Sequence, residues 1–360
     1  MNDIRQHPYF QFLRFCLKPE ADIPECVEQI NWHELFIFGQ KQAIAGVLWM
    51  GVERLTDIPN NKPTDDDVLE WMSLTTRISR RSNTVNEKAR WVSKTFLKEG
   101  FRTCLLKGQG NALMYPTPLL RHAGDIDIWV EGGAEKVIDY VNTIHKGFKA
   151  CYHHIEFVKA GDVDVEVHYR PSWLNNPLFN NRLQRWFNSH ADACFSNSNA
   201  TYGFQTPTDE FNKVFQLCHI YNHLLHEGIG LRQLIDYYYL LTHDGCAPTD
   251  LTPTLRHLGL MPIAGSVMWV LGELFDLSAE HMVCKPDKKR GRILLNEILE
   301  GGNFGYHDHR FLSGSYRSPL KKNIQRLVRD LRLMAYFPSE SLWEPFFRLY
   351  HFFWRMRHNH

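Results

Sequence analysis

The chain has 360 residues, a length that allows about two domains, and its 44% hydrophobic and 22% charged residues are those of a globular protein rather than a disordered or low-complexity one. A formal net charge of +1 provides no global pull toward nucleic acid or a membrane surface. No uncharged apolar run approaches the ~20 residues that span a bilayer, and no apolar segment follows the charged start at Met1–Arg5. Eight scattered Cys without a CxxC pair exclude a zinc ribbon or thioredoxin motif, so a reducing cytoplasm is expected.

Residues 4–58 read as helical. Residues 8–17 are apolar at helical spacing, Asn31 before Trp32 suits an N-cap, and 43–50 suits a buried helix. The Pro59-Asn60-Asn61-Lys62-Pro63 cluster is a turn. Thr64 then caps a long helix to about Lys98, with Asp65, Asp66 and Asp67 where carboxylates suit the helix dipole, and Gly100 ends it. Arg77, Arg80 and Arg81 read as a solvated face of that helix.

The period changes at Phe101. Residues 103–106 form a short apolar strand that runs into Lys107-Gly108-Gln109-Gly110-Asn111, followed by a short helix at 112–115. A Gly turn between a strand and a helix leaves backbone N–H groups to meet phosphate. Pro116 and Pro118 break the helix, and 119–123 lead to Gly124-Asp125-Ile126-Asp127-Ile128-Trp129-Val130. In a strand, residues i and i+2 share a face, so Asp125 and Asp127 stand side by side, about 7 Å apart, while Ile126 and Ile128 face a core. Two such carboxylates repel unless a cation lies between them, and hard divalent cations take oxygen ligands while holding substrate phosphates.

A helix at 134–146 ends at Gly147, and two strands, 153–159 and 163–169, form a hairpin about Gly161-Asp162. In the second, Asp164, Glu166 and His168 alternate with Val163, Val165 and Val167, so either acid could serve as a third carboxylate beside the pair. A solvated outer face of the hairpin is the rival reading. Residues 171–200 read as mixed helix and loop and 201–205 as a further strand.

Thr208 caps a helical region that extends to the end of the chain. His219, His223 and His226 share one face of the 211–225 helix and read as core or cleft histidines, since no HExxH or nearby Cys supports a metal role. Gly230-Leu231-Arg232-Gln233-Leu234-Ile235-Asp236 opens the next helix, in which Arg232 and Asp236 can pair at i, i+4. A buried helix follows at 261–275, and 301–305 is a loop. From Lys285 onward there are 15 Lys and Arg against 7 Asp and Glu, a net +8 that leaves −7 on the other 284 residues. The aromatics from Phe346 to Trp354 in this tail are expected to pack on the body, or to form with Lys321, Lys322, Arg326, Arg329 and Arg332 a surface for an anionic partner such as RNA or membrane.

Taken together, Leu105-Leu106-Lys107-Gly108, Leu120-Arg121-His122-Ala123-Gly124-Asp125-Ile126-Asp127 and Val165-Glu166-Val167-His168-Tyr169-Arg170 resemble the DNA polymerase β-like nucleotidyltransferase superfamily, and more closely its bacterial branch of largely uncharacterised nucleotidyltransferases. The GLRQLID element of residues 230–236 resembles the helical part of that branch, so the motifs cover about 105–240. The resemblance implies an α+β fold: a small mixed β-sheet core at 99–206, a helical N-terminal region at 1–98 and a helical C-terminal domain at 207–360. It implies transfer of a nucleoside monophosphate from an NTP to an acceptor, with Mg²⁺ or Mn²⁺ as cofactor.

By position, Asp125, Asp127 and Glu166 would hold the metals, and Lys107, Gly108 and Gln109 would border the triphosphate. Arg121 and His168 would support them. Gly108-Gln109 departs from the Gly-Gly or Gly-Ser of the wider superfamily, which leaves the Ser contact to phosphate without a counterpart. A binding protein on a degenerate transferase scaffold and a toxin- or antitoxin-type transferase are the rival functions.

Overall fold

The Thr64 hydroxyl accepts the Asp67 amide while the Asp67 carboxylate accepts the Thr64 amide, a reciprocal cap that opens a 34-residue helix. In the computed structural model, residues 4–55, 61–145, 147–158, 161–199, 202–303 and 319–358 are described, without the side chains of 199 and 319–326. Pro59, Asn60, Lys146, Lys159, Ala200, Thr201, Phe304 and Gly305 lie outside them, as do the Lys321, Lys322 and Arg326 side chains.

Helices α1 (Pro8–Leu17), α2 (Trp32–Lys41) and α3 (Ala45–Val52) precede the capped helix, α4 (Asp65–Lys98). Every residue of α3 is buried. The buried stripe of α4 steps by fours and threes through Trp71, Thr75, Ile78, Ser82, Val85, Ala89, Val92 and Phe96. Trp71 belongs to one hydrophobic core and Val85 to Phe96 to a second, so α4 is the spine between them.

The second core is the inner face of a four-stranded sheet. Its strands are β1 (Thr103–Leu105), β2 (Ile126–Val130), β3 (His154–Glu156) and β4 (Val165–His168), in the order β1-β2-β4-β3. Between them lie α5 (Gln109–Ala112) and α6 (Gly133–Ile144). The central β2–β4 pair is parallel and the two outer pairs are antiparallel. Alternation sends Ile126, Ile128, Val165 and Val167 into the core with α4 and α6. It sends Asp127 and Glu166, directly opposite each other in register, to the other face. The hairpin strands are shorter than expected. α5 starts at Gln109 rather than at 112, because Gly108 turns the chain at once with φ +59°.

The segment expected to be mixed helix and loop is a loop at 171–176 followed by α7 (Pro177–Ser196), opened by Asn176, whose side chain accepts the Leu178 and Phe179 amides. β5 (Ser198–Asn199) and β6 (Phe204–Gln205) then form a short ribbon. Helices α8 (Asp209–His226), α9 (Leu231–Thr242), α10 (Thr252–His257), α11 (Met261–Phe275) and α12 (Lys288–Gly301) follow. Residues of α1–α3 and of α8–α12 share the first core.

The chain closes with α13 (Pro319–Met334) and α14 (Pro338–His358). Phe347 and Trp354 of α14 pack on Tyr152 beside the sheet. Phe346, Phe352 and Phe353, expected on the body, are 51–65% exposed. Among the tail cations, Arg329 is buried, Arg332 pairs with Glu297 and Arg348 with Glu344, while Arg355 and Arg357 are exposed. Among the described side chains, the outer surface of this hairpin is thus more apolar than cationic. Among the described residues, no helix is long and apolar enough to cross a membrane.

Candidate functional site

Asp127 sits inside β2 with its side chain 1% exposed. Its Oδ1 receives the Lys107 ammonium at 3.1 Å and lies 3.0 Å from His168 Nε2. Its Oδ2 is buried and has no hydrogen-bond partner among the described residues. Asp125, one residue before the strand, shares that face, and Glu166 stands across the parallel pair. One carboxylate oxygen from each of Asp125, Asp127 and Glu166 lies within 4.8 Å of the others. An orphaned, buried carboxylate oxygen costs free energy unless something supplies positive charge to it. An all-oxygen donor set with one such atom fits a hard divalent cation.

The local electrostatics agree with that fit. Burial pushes the Glu166 carboxyl up, but His168, His154 and Lys107 outweigh it and hold it at about 2. Burial disfavours charge on Lys107, yet Asp127, Asp125 and Glu166 together hold its ammonium well above the ordinary range. Burial would lower His168, but its bonds to Asp127 and Glu166 lift it to about 9. Glu166 is therefore held ionised, with the protein's own cations beside it.

A cleft opens beside Asp125 and Asp127. Lys107, Gly108, Asp125, Asp127 and Arg121 line one side, and Gln216, His219, Arg232 and Gln233 from α8 and α9 line the other. Arg121 grips Asp236 with two bonds, Nε to Oδ1 at 2.7 Å and Nη2 to Oδ2 at 2.6 Å, and the Tyr115 hydroxyl donates to the same carboxylate at 2.6 Å. This corrects the expected i, i+4 pairing on α9. The Asp236 carboxylate goes to Arg121 from the sheet side, and Arg232 donates to the His122 carbonyl at 3.2 Å. Burial, with Arg121 close by, lowers Arg232 to about 10, so it keeps its charge at neutral pH.

The structure brings Asp125, Asp127, Glu166, Lys107, Gly108, Arg121 and His168 to one site. Gln109 departs from the expectation: its amide is buried and donates to Ser82 O and Asn86 Oδ1, so its side chain anchors α5 to α4 instead of reaching the cleft. Between the two rival acids, Asp164 lies outside β4 and its carboxylate joins no cluster of ligand atoms among the described residues, whereas Glu166 does.

Of the three α8 histidines, His219 lines the cleft, where burial holds it neutral. His223 contacts Glu227 at 3.3 Å, and His226 is bonded to the Asn222 carbonyl. Sequence reasoning missed His154, whose Nδ1 lies 3.4 Å from Glu166 Oε2. The signal existed only in the register that sets His154 opposite His168.

A family model described as "Uncharacterised nucleotidyltransferase" matches residues 28–276, more than half of the chain, which therefore belongs to that family. Comparisons with curated proteins and with solved structures find no match.

Proposed function

We propose that this member of a nucleotidyltransferase family moves a nucleoside monophosphate from an NTP to an acceptor hydroxyl, releasing pyrophosphate, with Mg²⁺ or Mn²⁺ held by Asp125, Asp127 and Glu166. The observation that carries the proposal is the unpartnered Oδ2 of Asp127 inside a cluster of three carboxylates beside a Gly turn. A divalent cation bound there neutralises the phosphate oxygens and makes the acceptor hydroxyl more acidic.

The chain's own residues divide the remaining work. Asp125 and Asp127 orient the α-phosphate end of the nucleotide. Glu166 stands on the far side of Asp127 from the Gly turn, where an acceptor hydroxyl can hydrogen-bond to it and lose its proton as the bond to phosphorus forms. Lys107 and Arg232 face the cleft from opposite walls and balance the triphosphate charge. Gly108 lets the backbone pass close to the phosphates, because its positive φ is strained for a side-chain-bearing residue. The Arg121–Asp236 pair fixes the floor that joins β2 to α9. Three clustered carboxylates favour this reading over a degenerate scaffold, which has no need of them.

The test is thermal unfolding of the wild type and of Asp125→Asn/Asp127→Asn with each NTP and Mg²⁺. Stabilisation of the wild type that vanishes in the variant supports the proposal, since a ligand at 100 times its Kd adds about 2.7 kcal/mol. No stabilisation of a folded wild type by any nucleotide counts against it.

A further inference from the structure

The acceptor side of the cluster carries nitrogen as well as oxygen. His154 and His168 are directly opposite in the antiparallel β3–β4 pair, and Glu166 shares their face two residues before His168. His154 Nδ1, a Glu166 carboxylate oxygen and His168 Nε2 lie within 4.8 Å of one another. We infer that His154, Glu166 and His168 form a second metal seat that takes a borderline transition ion such as Mn²⁺ or Zn²⁺ in preference to Mg²⁺. This inference rests on the reading of Asp125, Asp127 and Glu166 as metal-holding carboxylates, and it adds the identity of a second ion.

The separations from Glu166 match the spacing of donors on one ion. His154 Nδ1 and His168 Nε2 each lie 3.4 Å from Glu166 Oε2. Charge-assisted N–H···O⁻ bonds close to about 2.7–2.9 Å. Two donors on one four-coordinate ion with bonds of about 2.0–2.1 Å stand roughly 3.3–3.4 Å apart. Glu166 belongs to both clusters, and paired metal sites share a carboxylate in this way.

Donor type then sets the ion. Imidazole suits borderline metals, while Mg²⁺ is held by oxygen and water. His153 Nε2, 2.8 Å from His154 Nδ1, holds that ring in place until an ion takes over the contact.

The experiment is pulsed electron paramagnetic resonance of Mn²⁺ bound to the untagged full chain. The expected spectrum shows ¹⁴N modulation from directly ligated imidazole, converted to the ¹⁵N pattern in uniformly ¹⁵N-labelled protein. His154→Asn is expected to reduce that modulation and to weaken Mn²⁺ binding on the order of tenfold or more, with Mg²⁺ affinity little changed. The wild-type spectrum decides the matter even where a variant fails to fold. Mn²⁺ bound through oxygen alone overturns the nitrogen seat and leaves the carboxylate reading standing. Mn²⁺ that fails to bind overturns both, whereas Mn²⁺ that binds Asp125→Asn/Asp127→Asn with its ¹⁴N modulation intact supports the nitrogen seat and overturns the carboxylate reading.

Discussion

Replacing Asp236 with Ala tests how the helical half of the chain is locked to the sheet. Arg121 and Asp236 are each 5% exposed, and the carboxylate takes both bonds of the guanidinium as well as the Tyr115 hydroxyl. Removing it leaves a buried cation and a buried hydroxyl without their acceptor, which costs about 3–5 kcal/mol. The lower half of that range is expected, since Arg121 borders the cleft and water can reach one side of it.

With 360 residues, the unfolding entropy is about 0.8 kcal/mol/K, so the melting temperature should fall by about 4–5 °C. Arg121→Met/Asp236→Leu removes both charges and should recover most of that loss. The assay is thermal unfolding followed by circular dichroism across the double-mutant cycle. A single variant that melts within about 1 °C of the wild type, or a double variant no better than the single, refutes the reasoning.

Other consequences follow from the same geometry. Asp127→Asn should lower nucleotidyl transfer by about 10³-fold, several kcal/mol of lost charge stabilisation, measured as pyrophosphate release; an unchanged rate would remove Asp127 from the chemistry. Gly108→Ala should cost about 1 kcal/mol or more of stability and weaken NTP binding. The cause is the backbone at φ +59°, since the added Cβ would sit 3.6 Å from the Asp125 carbonyl, an ordinary contact. Titration calorimetry with wild-type affinity would argue that the turn tolerates a side chain.

The neutral imidazole of His351 accepts the Tyr152 amide at 3.1 Å, and burial, then Arg355 and His154, lower it from 6.5 to about 4. A depressed folded pKa contributes stability above pH 6.5 that is lost as the pH falls through about 4. Melting temperature should therefore drop across that window, and His351→Gln, which keeps an acceptor, should flatten the drop. An identical slope in the variant would assign the acid sensitivity elsewhere.

Local signals in the sequence were strong where a residue acts on its own neighbours. Thr64 and Asp67 cap α4 through bonds three residues apart, and Gly108 marks its own turn. Alternation placed Asp127 and Glu166 on polar faces opposite isoleucine and valine. The same patterns failed where a side chain had two possible destinations. Gln109 reads as part of a phosphate turn, yet its amide satisfies the Ser82 carbonyl and Asn86 across a gap of more than 20 residues. The tail aromatics read as core, yet one side of α14 packs Phe347 and Trp354 inward while Phe346, Phe352 and Phe353 stay out.

The sequence by itself determined which residues could carry charge, turn the chain or fill a core, because these depend on side-chain chemistry and on periods of 2 and 3.6. Only the tertiary structure decided which of them meet. The parallel register of β2 with β4 sets Glu166, and not Asp164, beside Asp127, and the β3–β4 register brings in His154. The packing of α9 beside α5 gives Asp236 to Arg121, more than 100 residues away, where the sequence offered Arg232. Strand register and ion-pair choice are set by burial and by competition among partners distant along the chain, and no local window of sequence contains that competition.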